Sequence, residues 1–171
     1  ELVGTSINND MGRYFCIIGD GSLMFNLQEL QTIKTNCPEC CIVVLNNNGY
    51  LAIRHTQEQF LDSRYYGTSS QDKGLEIPSI EKIAIAFEYN YLKINKISDY
   101  QLEINTLLKN IETKHTIIEL IVSPEHKNLY TASFKKNNDN SYSPNDIHLM
   151  KPFEKYDYLK NARKHSIDIN K

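Results

Sequence analysis

Two short motifs in this chain have the residue types that a metal-bound phosphate requires. Gly19-Asp20-Gly21, with Ser22 next to it, follows an apolar run. The 24 residues from Ser22 to Leu45 separate this motif from Asn46-Asn47, which follows a second apolar run. Glycines let a backbone turn sharply and approach a ligand closely, and N–H groups at the start of a helix favour an anion. Because Asp20 would repel a diphosphate directly, an acidic residue between such glycines predicts a bridging cation, most simply Mg²⁺.

The second motif supplies neutral ligands for the same cation. Asn47 offers a side-chain oxygen and Gly49 a backbone carbonyl; with Asp20 and two diphosphate oxygens they leave one octahedral position for water. A right-handed crossover of helix, turn and strand between the motifs would bring both to the carboxyl edge of one sheet. A lone Gly-Asp-Gly is usually a turn and a lone Asn pair is common, so the prediction depends on the two together.

The elements that must position these motifs are predicted from the alternation of apolar runs and helical patterns, which is typical of an α/β fold. We predict a three-layer α/β/α domain with a mainly parallel sheet and helices on both faces. The predicted strands are Tyr14–Ile18, Cys41–Leu45, Tyr91–Ile94 and Thr116–Val122. The predicted helices run from about Leu23 to Asn36, from Gly49 or Tyr50, over Ile80–Phe87 with Ser79 as N-cap, and over Tyr100–Ile111, with a long loop from Phe60 to Pro78.

The chain is long enough for one sizeable core. We place this domain in residues 1–122 and expect residues 123–171 to be an extension or tail that packs on it. Lys135–Asn145 is polar and Asn-rich, and it is expected to be flexible before Met150–Phe153 anchors the tail.

Composition argues against two classes of partner. The net charge is −2 and the pI about 6.2, which argues against a nucleic-acid-binding surface. No stretch approaches the ~20 apolar residues that a membrane helix needs. The N-terminal residues lack the features of a signal peptide, so the cytoplasm is the expected location.

Cysteine and histidine residues offer weaker alternatives. Cys37 and Cys40 have the spacing of a zinc or redox pair, but no second pair accompanies them, and Cys16 and Cys41 are interpreted as core residues. His55 follows the Asn motif and could face a substrate, although a histidine at such a position is more often a surface or packing residue.

The two motifs and their surroundings resemble the thiamine-diphosphate signature of the acetolactate synthase and pyruvate decarboxylase group. The similarity extends over Gly19–Thr32, includes Pro38 before the second strand, and continues through Leu45–Tyr50. It covers most of Glu1 to Val122, with looser similarity as far as Phe153.

This resemblance implies thiamine diphosphate and Mg²⁺ as cofactors, with specific residues at the cofactor. It implies Mg²⁺ ligands at Asp20, Asn47 and the Gly49 carbonyl, and cofactor contacts at Gly19, Gly21, Ser22, Tyr50 and Leu51. Asn26, Gln28 and Glu29 also match the family pattern, and we interpret them as helix residues that support the site without touching the metal.

The resemblance also implies what the chain acts on and with. The substrate is expected to be a 2-keto acid, and the parent enzyme a carboligase or decarboxylase and a homo-oligomer. The family's activating glutamate belongs to a separate pyrimidine-binding domain of the same or another subunit. The chain is expected to begin inside its own domain and to be inactive alone.

Two features keep the exact function open at this point. Thr56 stands where acetolactate synthases usually have a Trp, which weakens that specific activity. The alternative to an enzyme portion is a non-catalytic cofactor-binding or assembly module with the same fold. The intact Asp20, Asn47 and Gly21-Ser22 favour the enzyme.

Overall fold

The computed structural model describes residues 2–7, 14–68, 74–95, 114–125, 131–145 and 150–151. The chain divides into two compact units, Glu1–Pro124 and Glu125–Lys171. The elements of the first unit are α1 (Leu2–Ile7), β1 (Tyr14–Gly19), α2 (Asp20–Met24), α3 (Glu29–Asn36), β2 (Cys40–Asn46), α4 (Leu51–Phe60), α5 (Ile80–Ala86), β3 (Asn90–Ile94) and β4 (Thr116–Ile121). Those of the second unit are β5 (Thr131–Ala132), β6 (Phe134–Lys136), β7 (Tyr142–Pro144) and β8 (Met150–Lys151).

The first unit is built on a four-stranded parallel sheet in the order β1-β2-β4-β3. β1 and β2 are neighbours, in a register that runs from Tyr14 opposite Cys40 to Gly19 opposite Leu45. Both strands therefore end at the same edge, and the predicted parallel α/β fold is confirmed. The apolar, β-branched sequence of β2 suits a strand whose two faces are both covered.

The main core lies on one face of this sheet. Leu30 of α3 and Ile80 of α5 pack there with Val44 of β2 and Ile117 of β4, and all four side chains are almost completely buried. Burial of each such side chain contributes roughly 1.5–3 kcal/mol. On the opposite face Cys41 and Ile118 are buried, whereas Ile17 of β1 is 71% exposed. The predicted helix Tyr100–Ile111 lies outside the described residues.

The helix predicted from Leu23 to Asn36 is interrupted. Four residues in turn conformation separate α2 from α3. The backbone hydrogen bonds there join residues three apart, from the Phe25 N–H to the Ser22 carbonyl at 3.3 Å and from the Asn26 N–H to the Leu23 carbonyl at 3.2 Å. The prediction of one continuous helix is therefore wrong. Its apolar spacing of three and four residues also fits tighter turns.

The Asn-rich segment that was expected to be flexible contains a β-hairpin. β6 pairs antiparallel with β7, and the turn between them is closed by a bond from the Asn137 N–H to the Ser141 carbonyl at 2.8 Å. Asn140 has a φ of 64°, which Asn tolerates better than most residues. The asparagines therefore form the turn of a hairpin.

The cysteines are thiols in varied surroundings. Burial raises the pKa of Cys40 to about 12 and that of Cys41 to about 11, which disfavours the thiolate that redox or metal chemistry would use. The described residues contain no group of three His, Cys, Asp or Glu side chains placed to share a metal. None of the described helices is long and apolar enough to cross a membrane.

Candidate cofactor site

The two sequence motifs meet at the carboxyl ends of β1 and β2. Asp20 is the first residue of α2 and only 1% exposed. Its Oδ1 accepts a hydrogen bond from the Gly21 N–H at 2.7 Å, and its Oδ2 accepts one from the Gly49 N–H at 2.9 Å. A direct hydrogen bond therefore joins the first motif to the loop that follows β2.

The Asp20 carboxylate is held in a place that disfavours its charge. Burial raises its pKa above the ordinary value, and the backbone N–H groups of Gly21, Gly49 and Asn48 oppose that rise only in part. A raised pKa shows that these hydrogen bonds do not fully compensate the cost of burying the charged carboxylate. A bound cation is the partner that would supply the rest of this compensation.

Asn47 lies in the loop after β2, two residues before the Gly49 that is hydrogen-bonded to Asp20, and its side-chain oxygen has no hydrogen-bond donor among the described residues. Its Oδ1 is buried, and no described residue donates a hydrogen bond to it. Such an atom costs roughly 1–3 kcal/mol in the absence of a partner, and natural structures seldom tolerate one without a reason. A neutral oxygen and a carboxylate on one loop pair are the ligands that Mg²⁺ takes, so the residues present fit the metal.

The loop between β2 and α4 has an unusual backbone. Asn48 has a φ of 63° and Gly49 a φ of 141°, both in the region that favours Gly and, for the smaller angle, Asn. These angles turn the chain so that the Gly49 N–H points to Asp20. The role of the Gly49 carbonyl as a metal ligand remains a prediction.

The structure changes the reason for the glycines of the first motif. Gly19 has an ordinary extended backbone, with φ −75° and ψ 154°, so no left-handed turn requires a glycine there. At Gly21 an added Cβ would lie 2.4 Å from Cε1 of Tyr50. The close approach at Gly21 is therefore made by the Tyr50 ring, which also stacks on Phe25 with centroids 5.9 Å apart.

We expect Gly21→Ala to destabilise the protein by about 1–3 kcal/mol, because the new methyl group must displace the Tyr50 ring from its stack on Phe25. Gly19→Ala is the matched control, since its Cβ would meet only the Ser22 Oγ at 3.8 Å. Urea denaturation of both variants measures the difference. Equal stabilities would show that the ring moves aside at no cost.

The other residues predicted at or near the cofactor lie on or next to α2, α3 and α4. Tyr50 precedes α4, and its N–H donates to the Thr68 carbonyl at 2.8 Å; Leu51 is the first residue of α4 and partly buried. Ser22 is exposed in α2. His55 is partly buried on α4, and Asn26, Gln28 and Glu29 are exposed between α2 and the start of α3, where no described contact joins them to Asp20.

Sequence reasoning missed one polar residue next to the site. Glu119 of β4 is 4% exposed and accepts hydrogen bonds from the Asn46 side-chain amide and the Tyr91 hydroxyl. The available signal was a single acidic residue inside the apolar run Thr116–Ile121.

Comparison with known proteins agrees with a cofactor site at this edge of the sheet. Residues 2–120 match the family model described as thiamine pyrophosphate enzyme, C-terminal TPP binding domain. The acetolactate synthase isozyme 2 large subunit of Escherichia coli is 31% identical over 108 residues, which cover 63% of this chain and 19% of that protein. The acetolactate synthase large subunit of Cyanidium caldarium is 29% identical over 106 residues, 62% of this chain and 18% of that protein.

The acetolactate synthase of Arthrospira platensis is 28% identical over 99 residues, 58% of this chain and 17% of that protein. This chain thus matches less than a fifth of the length of each of these relatives. The family model, in contrast, matches well over half of the chain. On that match, and on a parallel sheet whose edge gathers Asp20 and the Asn47 loop, the chain belongs to the family of C-terminal TPP-binding domains of thiamine pyrophosphate enzymes.

Proposed function

We propose that this chain binds the Mg²⁺–diphosphate end of thiamine diphosphate, as part of an enzyme that acts on 2-keto acids. Family membership implies thiamine diphosphate and Mg²⁺ as cofactors. The observation that carries the proposal is the buried Asn47 Oδ1, which no described residue satisfies, on a loop hydrogen-bonded to the buried Asp20.

Each residue would make a distinct contact. Asp20 would give Mg²⁺ an anionic oxygen, and Asn47 Oδ1 and the Gly49 carbonyl would give neutral ones. The backbone at Gly19 and Gly21 and the exposed Ser22 would face the diphosphate, with Tyr50 and Leu51 beside the cofactor. Mg²⁺ would thus neutralise the repulsion between Asp20 and the diphosphate, and the protein would orient the cofactor without supplying its chemistry.

Thiamine diphosphate, when bound, supplies an electron sink that allows a bond beside a carbonyl group to break. The relatives named above are acetolactate synthases. We therefore propose that the whole enzyme is a carboligase or decarboxylase of 2-keto acids and a homo-oligomer. We further propose that the cofactor's pyrimidine ring is bound by a separate domain of the same or another subunit.

Thr56 bears on the choice between these activities. It is exposed on α4, and its hydroxyl donates to the Ala52 carbonyl at 3.2 Å. Acetolactate synthases usually have a Trp at this position, where it helps to select the acceptor keto acid. A small side chain at this position therefore supports a decarboxylase, or a carboligase with a different acceptor, over an acetolactate synthase.

The proposal predicts metal-dependent binding without turnover by these 171 residues alone. Thiamine diphosphate should bind weakly, with Kd above the micromolar range, because solvent-exposed diphosphate contacts are screened by salt. Binding should disappear when EDTA removes Mg²⁺. Titration calorimetry with and without EDTA measures the affinity, and a CO₂-release assay with pyruvate measures turnover. Cofactor binding that is unchanged by EDTA would contradict the metal site. Measurable turnover would contradict the proposal that a separate pyrimidine-binding domain is required for activity.

A further inference from the structure

Glu119 is a buried carboxylate that the cofactor contacts proposed above do not use. Its neighbours across the sheet are Val44 of β2 and the exposed Lys93 of β3. No described ion pair includes Glu119, which is 4% exposed, and both of its described hydrogen-bond partners are neutral donors. Burying a carboxylate without a cation is costly. Hydrophobic residues of similar size would fill the same space at less cost, so the position of this carboxylate calls for a reason other than packing.

One carboxylate oxygen of Glu119 is hydrogen-bonded to the loop of residues 46–49, which contains the proposed metal ligands and is called the metal loop below. That oxygen, Oε1, accepts a hydrogen bond from Asn46 Nδ2, and Asn46 Oδ1 accepts one from the Asn48 N–H at 2.9 Å. Because the Asn48 N–H and the Asn46 NH₂ group can only donate, the Asn46 amide turns its oxygen to Asn48 and its NH₂ group to Glu119. Glu119 and the Asn48 N–H together therefore hold the Asn46 side chain in one orientation.

Asn46 is also fixed through its backbone. Its carbonyl oxygen accepts a hydrogen bond from the Val122 N–H at 2.8 Å. On the far side of the turn the Gly49 N–H is bonded to Asp20. Asn47 is the residue between these fixed points, and Asn48 beside it holds a left-handed φ of 63°. The direction of the Asn47 side chain thus depends on the bonds of its neighbours.

We propose that Glu119 is a positioning residue for the metal loop: through Asn46 and the Asn48 N–H it holds the turn in which Asn47 presents its oxygen to Mg²⁺. This inference rests on the proposed function for its ligand. It adds a residue that is remote in sequence and touches neither metal nor cofactor.

The second carboxylate oxygen of Glu119 provides an internal control. This oxygen, Oε2, accepts a hydrogen bond from the Tyr91 hydroxyl of β3, away from the metal loop. Burial, and next the bond to Glu119, raise the pKa of Tyr91, so the hydroxyl stays protonated and remains a donor. Tyr91→Phe removes a bond to the same carboxylate without touching Asn46.

Three variants of the whole chain separate positioning from general stability. Glu119→Met fills the volume but leaves the Asn46 amide without its acceptor. Glu119→Gln restores that acceptor, since its carbonyl can face Asn46 while its NH₂ group donates to the Tyr91 oxygen. Tyr91→Phe is the control, because it removes only the hydrogen bond to the second oxygen of Glu119. Hydrogen exchange of the Asn48 amide, by NMR without cofactor, reports on the loop, and titration with Mg²⁺ and thiamine diphosphate reports on the site.

Glu119→Met should speed exchange at Asn48 at least threefold and raise the cofactor Kd at least fivefold. Glu119→Gln and Tyr91→Phe should each stay within twofold of wild type in both measurements, even where Tyr91→Phe lowers the melting temperature. Equal Asn48 exchange in all four proteins would overturn the inference, whether or not any of them binds cofactor. Absence of cofactor binding by wild type, with Asn48 exchange altered as expected, would overturn the proposed function and leave the positioning role supported.

Discussion

Asp20→Asn should weaken the binding of thiamine diphosphate at saturating Mg²⁺ by at least tenfold, which is about 1.4 kcal/mol. Asp20 is the only anionic ligand that the protein itself is proposed to give the metal. Its carboxylate also links the two loops, through the N–H groups of Gly21 and Gly49. An Asn keeps the size of the side chain but can accept only one of these bonds with its single oxygen, and it gives the cation no charge.

A matched substitution controls for the loss of one negative charge. The Asp62 side chain is 94% exposed, and its described ion pair, with Arg64, is 3.7 Å long. Its φ of 50° is one that Asn accepts easily. Asp62→Asn should therefore leave the cofactor affinity unchanged within twofold. Calorimetric titration of both variants measures the contrast, and equal affinities would show that Asp20 is not a metal ligand.

Asn47→Ala should weaken cofactor binding by a similar factor without destabilising the cofactor-free protein. Binding falls because a neutral metal ligand is lost. The free energy of unfolding should stay the same or rise, since the substitution removes a buried oxygen that no described residue satisfies. A ligand that is held unsatisfied for a metal is expected to produce this combination, whereas an ordinary buried polar side chain is not.

The adjacent Asn46 is the control for stability. Its side chain donates to Glu119 and accepts from Asn48, so Asn46→Ala leaves a buried carboxylate short of a donor and should cost about 1–3 kcal/mol. Thermal and urea denaturation of the two neighbouring variants, both without cofactor, measures this difference. If Asn47→Ala were as destabilising as Asn46→Ala, Asn47 would be a structural residue and its oxygen would not be reserved for a metal.

Local signals predicted the elements that hold the site. β1 and β2 were placed to within one residue at each end, because apolar runs there stop at Gly19 and at the asparagines. The start of α5 was found from Ser79, whose Oγ accepts the Lys82 N–H at 3.3 Å. Each of these features is encoded within a few residues of sequence.

Contacts between distant residues could not be predicted in the same way. Gly21 is needed because of a ring at Tyr50, which reaches it only after β2 has returned beside β1. Glu119 reaches Asn46 because β4 is inserted between β2 and β3. The order of strands in the sheet decides that contact, and hydrophobic periodicity does not encode it.

A crystal structure of the chain soaked with thiamine diphosphate and Mn²⁺ would test the metal site most directly, because Mn²⁺ accepts the oxygen ligands of Mg²⁺ and is identified by its anomalous scattering. We expect one anomalous peak within coordination distance of the Asp20 carboxylate, Asn47 Oδ1 and the Gly49 carbonyl, bridged to the diphosphate. A cofactor bound with Mn²⁺ elsewhere, or with Asn47 Oδ1 turned away from the metal, would contradict it.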